Sequence, residues 1–446
     1  MRRSRTIFAL SSGRGRAGIA VVRISGPAAG AVLDSMAAPR PRPRYAALRR
    51  IRHPTSRELL DEGLVLWFPA PGSETGEDTV ELHLHGGPAV VRAVLQALAT
   101  IDGLRLAEPG EFARRAFENG KLDLTAVEGL ADLIEAETES QRRLALSQAG
   151  GQLARLYDGW RGEALQALAL VEAGIDFSDE ADVSDAAIAD GRRIADQLAQ
   201  KIDAHLADKN RGEIIRDGFR VVLAGPPNVG KSSLLNALAR REAAIVSPEA
   251  GTTRDVIEVR LDVGGAMVVL ADTAGLREAE GLVEKEGIRR TLERARGADL
   301  VLWVVDLTCP NWQPPADLQS SGAPVLIVAN KSDLAGTACS GRDPCDAITV
   351  SATTGRGLSE LSRRIATELT ARLDGDDVPL LTQARHRQAL KDALAALRRC
   401  VGEPAEPAEL RAEDLRIAAH ALGRVTGRID VEDVLDQIFA RFCIGK

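Results

Sequence analysis

The chain has 446 residues, and at roughly 150 residues per domain this length predicts about three domains. With 57 Lys and Arg against 64 Asp and Glu the formal charge is −7, which excludes a uniformly basic nucleic-acid binder and leaves any RNA contact to a local patch or a partner. Aromatic residues make up only 3% and apolar residues 45%, so Ala, Leu, Val and Ile must build the cores, in helix-rich or α/β packing.

Taken in order, the first 33 residues carry six arginines and no acid, superficially like a transit peptide. Ile19–Ser25 nevertheless reads as a core strand. A helix near 27–36, a Pro-Arg loop from Pro39 to Arg44, strands near 59–68 and 79–85 and a helix from Pro88 to Ile101 follow, giving a small α+β domain over 1–118. On the strand 79–85, Glu81, His83 and His85 share one face, opposite Val80, Leu82 and Leu84. From Leu122 the period changes to 3.6, with Leu124, Val127, Leu130, Leu133 and Ile134 on one stripe, and a helical region over 119–215 breaks at Gly150-Gly151 and near Asp176–Asp179.

Residues 216–375 alternate strands with helices: FRVVLAG, VIEVRLDV, MVVLAD, DLVLWVVD, PVLIVAN and AITVSA. Apolar runs of this kind predict a sheet covered on both faces. Residues 376–446 return to helix (383–401, 407–424, 430–442). The economical reading is one all-α domain split in sequence by an inserted α/β domain; two unrelated helical segments are the alternative. The five cysteines, at 309, 339, 345, 400 and 443, form no CxxC pair, and no apolar stretch approaches a membrane span, so a cytoplasmic protein is expected.

Gly225-Pro-Pro-Asn228-Val229-Gly230-Lys231-Ser232 follows a strand and opens the helix SSLLNALA, which starts at Ser232 and continues through Ser233, the context a P-loop needs. There, backbone N–H groups close on phosphates, Lys231 reaches the outer phosphates, and Ser232 ligates Mg²⁺. Gly13-x-Gly15-x-x-Gly18 precedes a strand instead of opening a helix, which disqualifies it as a dinucleotide site. Asp272-Thr273-Ala274-Gly275 ends one strand, near the metal and the γ-phosphate. Asn330-Lys331-Ser332-Asp333 ends another, where the Asp333 carboxylate accepts from the paired donors of guanine, and Ser351-Ala352-Thr353 ends the next. Ordered this way, the set resembles a Ras-like GTPase and makes GTP the expected nucleotide. Thr252 and Thr253 lie where such proteins keep a switch loop, Thr253 as the second Mg²⁺ hydroxyl. Leu276 stands where Ras has its water-positioning glutamine.

Longer stretches resemble one family, the tRNA modification GTPase MnmE (TrmE) family: GRAGIAVVRISG at 15–26, TGEDTVELHLHGG at 75–87, EPGEFARRAFENGKLDL at 108–124, IVSPEAGTTRD at 245–255, DTAGLRE at 272–278 and the terminal Cys443-Ile-Gly-Lys446. The resemblance implies a G domain activated by K⁺-dependent pairing of two G domains without an arginine finger. Asn228, Ser247, Glu249 and Thr252 would hold the K⁺, Ser247 also lying in the GTP site, and Glu284 would orient the water that Leu276 cannot. It implies an N-terminal domain that forms a homodimer and binds a tetrahydrofolate derivative, in the 5-formyl or 5,10-methylene form, through Arg23, Glu81, Lys121 and Lys446. Cys443 would lie nearby as a candidate catalytic thiol; on chemistry alone it reads equally as a buried cysteine. The flavoprotein MnmG, which carries FAD, and tRNA are the implied partners, and C5 modification of the wobble uridine at position 34 is the implied reaction. Two rival readings are a ribosome-assembly GTPase and a folate-binding regulatory GTPase without RNA chemistry.

Overall fold

The computed structural model describes residues 5–176, 181–244, 258–272, 297–308, 312–319, 322–334, 346–375, 379–402, 407–429, 435, 438–440, 442 and 444–445. Its contacts divide the chain into two units, one of Met1–Ala131, Gln148–Ala195 and Arg399–Lys446, the other of Asp132–Ser147 and Asp196–Arg398.

The first unit is built on β1 (Thr6–Leu10), β2 (Ile19–Ser25), α1 (Ala29–Met36), β3 (Ala47–Arg52), β4 (Leu59–Phe68), β5 (Thr79–His85), α2 (Pro88–Ala99) and β6 (Leu104–Leu106). The six strands form one sheet in the order β3-β4-β5-β2-β1-β6, with only β1 and β6 parallel. Residues on one face (Val22, Ile24, Ile51, Val65, Val80, Leu82) pack with Leu33 of α1 and Leu98 of α2. The alternation along β5 is as expected, with Val80, Leu82 and Leu84 buried and Glu81, His83 and His85 on the other face. Strands β1, β3 and β6 were not evident from the sequence. β6 has three residues, and β3 is an edge strand whose Arg49, Arg50 and Arg52 obscure its alternation.

Next come α3 (Glu111–Glu118), α4 (Leu124–Glu135), α5 (Glu139–Ala149), α6 (Gln152–Asp176), α7 (Ala181–Leu206) and α8 (Arg211–Asp217). α3 is locked to the sheet by charge. Arg115, nearly buried, donates to Glu77 at 2.8 Å and Glu111 at 3.0 Å, and Asn119 donates to the Thr75 carbonyl at 2.7 Å. Two long stretches noted in the sequence, 75–87 and 108–124, are thus two halves of one contact. Among the described residues the helical region breaks at Gly150-Gly151 as expected, and also at 207–210 and at 136–138, where Gln141 Oε1 accepts from the backbone N–H groups of Glu137 and Thr138 and so caps α5.

The second sheet contains β7 (Phe219–Ala224), β8 (Ala243–Ala244), β9 (Glu258–Val263), β10 (Ala266–Asp272), β11 (Leu300–Asp306), β12 (Val325–Asn330) and β13 (Ile348–Thr349), in the order β13-β12-β11-β7-β10-β9-β8. Pairing is parallel from β13 to β10 and antiparallel through β9 and β8. Helices α9 (Lys231–Arg241), α10 (Ala316–Gln319) and α11 (Leu358–Leu373) flank it. Leu300, Leu302 and Val304 of β11 join the core beneath α9 and α11, while Val301, Trp303 and Val305 join a second core with Leu318 of α10. This is the two-sided coverage that unbroken apolar runs predict. The strand expected over AITVSA is shorter than its sequence suggests. After Val350 donates to Ala329, Ser351 turns back to accept from Gly355 and donate to Arg356.

Helices α12 (Ala384–Val401) and α13 (Ala408–Thr426) close the chain. In the first unit α13 packs along α6, pinned by Arg416 to Glu172 at 2.5 Å and Arg428 to Asp158 at 2.7 Å. The expected helix at 430–442 lies largely outside the described residues. Phe439 and Phe442 pack with Ala113, Leu124 and Val127. Ile444 bridges Pro109, and Ser11 donates to the Gly445 carbonyl at 2.7 Å, which brings the chain end against β1.

Candidate functional site

β7 is the topological switch point of the second sheet, flanked by β10 on one side and β11 on the other. Ligands of open α/β sheets bind at the carboxyl ends of strands at such a point. Gly225 follows β7 at φ +149°, and a Cβ there would sit 2.2 Å from the Val304 carbonyl oxygen, so only glycine lets the loop leave the sheet here. Gly230, at φ +90°, starts α9, and a Cβ on it would strike the Asn330 amide at 2.5 Å. Between them Asn228 adopts φ 60°, a left-handed value that asparagine tolerates.

Polar groups at the strand ends converge on this loop. Lys231, nearly buried, folds its ammonium back to the carbonyls of Gly225 at 2.9 Å and Pro226 at 2.8 Å. Ser232 donates to the Asp272 carboxylate. Hydroxyl and carboxylate oxygens in contact beside a helix N-terminus are a donor set that suits Mg²⁺, which takes oxygen ligands and shares the rest of its shell with phosphates and water. Asn330 donates to the buried Val229 carbonyl at 2.9 Å and accepts from Ala352 N–H at 3.1 Å, joining three of the expected motifs through one side chain. Lys331 donates to the Asn228 carbonyl at 2.7 Å and pairs with Asp306 at 2.7 Å. Ser351, fully buried, donates to Asp333 Oδ1 at 2.6 Å and so orients the carboxylate expected to read guanine. Ser233 lies exposed on the first turn of α9, and Thr353 is exposed in the turn after Ala352.

Asp306 was missed from the sequence. It ends β11 as Asp272 ends β10 and Asn330 ends β12, and that shared strand-end position was the available signal. Burial pushes its carboxyl upward, but hydrogen bonds from Lys331 and Thr308 outweigh this and hold it below the usual carboxylate range.

In the first unit, Arg23 and Glu81 are cross-strand partners on β2 and β5. They pair at 3.0 Å, Arg23 also meets Glu74 at 2.6 Å, and Glu81 meets His83 at 3.2 Å. His85 meets Asp61 at 2.8 Å. Lys121 is exposed in the turn after α3, where a Cβ on Gly76 would come within 3.4 Å of its Cε. Ser247, Glu249, Thr252, Thr253, Thr273, Ala274, Gly275, Glu284, Cys443 and Lys446 lie outside the described residues.

Residues 6–121 match the family of the GTP-binding protein TrmE N-terminus, and residues 124–443 match the MnmE helical domain. The chain is 54% identical over 445 residues to a tRNA modification GTPase MnmE of Parvibaculum lavamentivorans, covering 99% of this chain and 100% of the relative. The chain belongs to the MnmE family. A second relative so named, from Azorhizobium caulinodans, is 53% identical over 445 residues and covers 100% of both chains. The FeoB G-domain from Methanococcus jannaschii is similar at 26% identity and a TM-score of 0.26, over 34% of this chain and 97% of that one. The chain is a GTP hydrolase with a Ras-like P-loop domain, in which Lys231, Ser232 and Asp272 suit GTP and Mg²⁺. Among the described residues no helix is long and apolar enough to cross a membrane.

Proposed function

We propose that the chain couples GTP hydrolysis to C5 modification of the wobble uridine at position 34 of tRNA, with a tetrahydrofolate derivative as one-carbon source and the FAD-bearing flavoprotein MnmG as partner. What carries this reading is the match along essentially the whole chain to relatives named as tRNA modification GTPases, since the ribosome-assembly reading accounts for the P-loop domain alone and the folate-binding regulatory reading includes no RNA chemistry.

In this proposal Lys231 and the loop N–H groups hold the phosphates, Asp333 reads guanine, and Ser232 and Thr253 ligate Mg²⁺, which supplies charge neutralisation at the phosphate oxygens when bound. Asn228, with Ser247, Glu249 and Thr252, holds a K⁺ that takes the place of an arginine finger. The Asn228 side chain is exposed and has no partner among the described residues, which suits a ligand role. Glu284 orients the attacking water.

Arg23, Glu81, Lys121 and Lys446 form the folate site, with Cys443 beside it. Two observations support this placement. Arg23 and Glu81 put both signs of charge in one half-buried spot, fitting a ligand with carboxylates and paired N–H donors, and Gly445 lies against the Leu10 carbonyl, one strand over from Arg23. The homodimer forms through the N-terminal domain, which exposes Ile19 at the start of β2.

The deciding experiment is a nucleoside analysis of tRNA from cells that lack the chain. The proposal expects loss of the C5 modification at position 34 and its return with the full-length chain. Intact modification would favour a regulatory or ribosome-directed GTPase.

A further inference from the structure

Beyond its first 33 residues, the acidic chain contains a second stretch of the opposite character. Residues 39–57 hold seven arginines, at 40, 42, 44, 49, 50, 52 and 57, and no acid. They form the Pro-Arg loop, edge strand β3 and the turn into β4. Arg40 pairs with Asp34 and Arg50 with Glu62. The other five make no ion pair among the described residues.

These five are held without being neutralised. Arg49 donates to the Pro39 carbonyl at 2.8 Å, Arg52 to the Arg57 carbonyl at 3.0 Å, Arg57 to the Ser35 carbonyl and Arg44 to the Gly72 carbonyl. A carbonyl engages one or two of the five N–H donors of a guanidinium and leaves its charge and remaining donors outward. Arg42 makes no side-chain hydrogen bond, and Arg44 lies 5.7 Å from the centre of the Phe68 ring. Tyr45, 66% exposed, stands in the same run. Protecting a sheet edge from aggregation needs charge of either sign; this edge has one sign, in the residue type that best matches phosphate.

We propose that residues 39–57 form an RNA-binding strip, the unpaired arginines meeting backbone phosphates and Tyr45 offering its ring to an unstacked base. An acidic protein that works on tRNA needs such a local patch, because its net field repels the polyanion. The inference rests on the tRNA-directed function above and adds where this chain touches the RNA.

The test is titration of the full-length chain with tRNA across a KCl series. Arg42→Glu removes no internal hydrogen bond. It should weaken binding roughly fivefold and flatten the salt slope by about one. The combined change of Arg42, Arg49 and Arg57 to Gln should flatten it by about two to three, while the GTP hydrolysis rate, measured without RNA, stays at the wild-type value and reports an intact fold. Wild-type binding matched in affinity and slope by both variants overturns the strip and leaves the tRNA function standing. A wild-type chain that fails to bind tRNA even at low salt overturns both. Vesicles containing phosphatidylglycerol serve as the second probe: variants that lose vesicle binding but keep tRNA binding also overturn the proposal.

Discussion

Lys331 donates from Nζ to the main-chain carbonyl of Asn228 at 2.7 Å, so a guanine-motif residue holds the P-loop residue assigned to K⁺. Asp306 steadies the same ammonium at 2.7 Å. The motif expected to read the base and the loop expected to hold the phosphates are thereby parts of one hydrogen-bonded unit.

Changing Asp306→Asn should loosen that unit by removing the charge that positions Lys331. Loss of a partly exposed charge-assisted bond predicts roughly tenfold weaker GDP binding and a higher KM, with kcat nearly unchanged. Fluorescent-nucleotide titration and steady-state kinetics separate the two effects, and unaltered affinity would show that Asp306 is only a surface partner.

GTP turnover should be many-fold faster in K⁺ than in Na⁺ at equal ionic strength. Asn228→Ala should erase the difference, because a trapped alkali ion is proposed to offset charge that develops on the phosphates. Equal rates in both salts would remove the K⁺ role.

For Glu284→Ala, GTP affinity is expected to stay near wild type while single-turnover hydrolysis slows by at least tenfold, the usual scale for losing a group that positions or deprotonates a nucleophile. A normal rate would reassign the water to another group.

With Ser351 holding one oxygen of Asp333 at 2.6 Å, the Asp333→Asn amide would present a donor where guanine also donates. Preference should shift from GTP toward xanthosine triphosphate, read by competition binding. Retained GTP preference would mean that Asp333 does not read the base.

His205 makes stability pH-dependent. Burial lowers its imidazole to about 4; the Asp208 charge opposes this, and Arg387 and His386 reinforce it. An unfolded chain takes up that proton near ~6.5 while the folded chain refuses it, so stability is full above about 6.5, falls as pH drops toward about 4, and levels below. The total is about 3 kcal/mol. Urea midpoints for wild type and His205→Gln at pH 7 and pH 5 measure it; a drop of equal size in the variant would place the effect elsewhere.

Much of this was legible in the sequence because local patterns are enforced by local physics. β4 and β5 fall at their expected residues, since alternation over seven to ten residues allows one register. The P-loop was readable because its glycines are demanded by backbone geometry at positions 225 and 230. β3 was not readable: its arginines carry no strand signal, and only its pairing with β4 makes it a strand. Asp306 escaped because its importance is a contact with Lys331, 25 residues on.

By itself the chain of amino acids determined the Ras-like module, the nucleotide class and the family, because each rests on short runs whose spacing the chemistry constrains. Tertiary structure alone decided that Arg23 and Glu81 neutralise each other across two strands, that Arg115 joins residues 77 and 111, and that five arginines near β3 keep their charge. Whether a charge is cancelled depends on what folding brings within about 4 Å of it, and partners such as Glu81 for Arg23 and Glu77 for Arg115 lie tens of residues away along the chain.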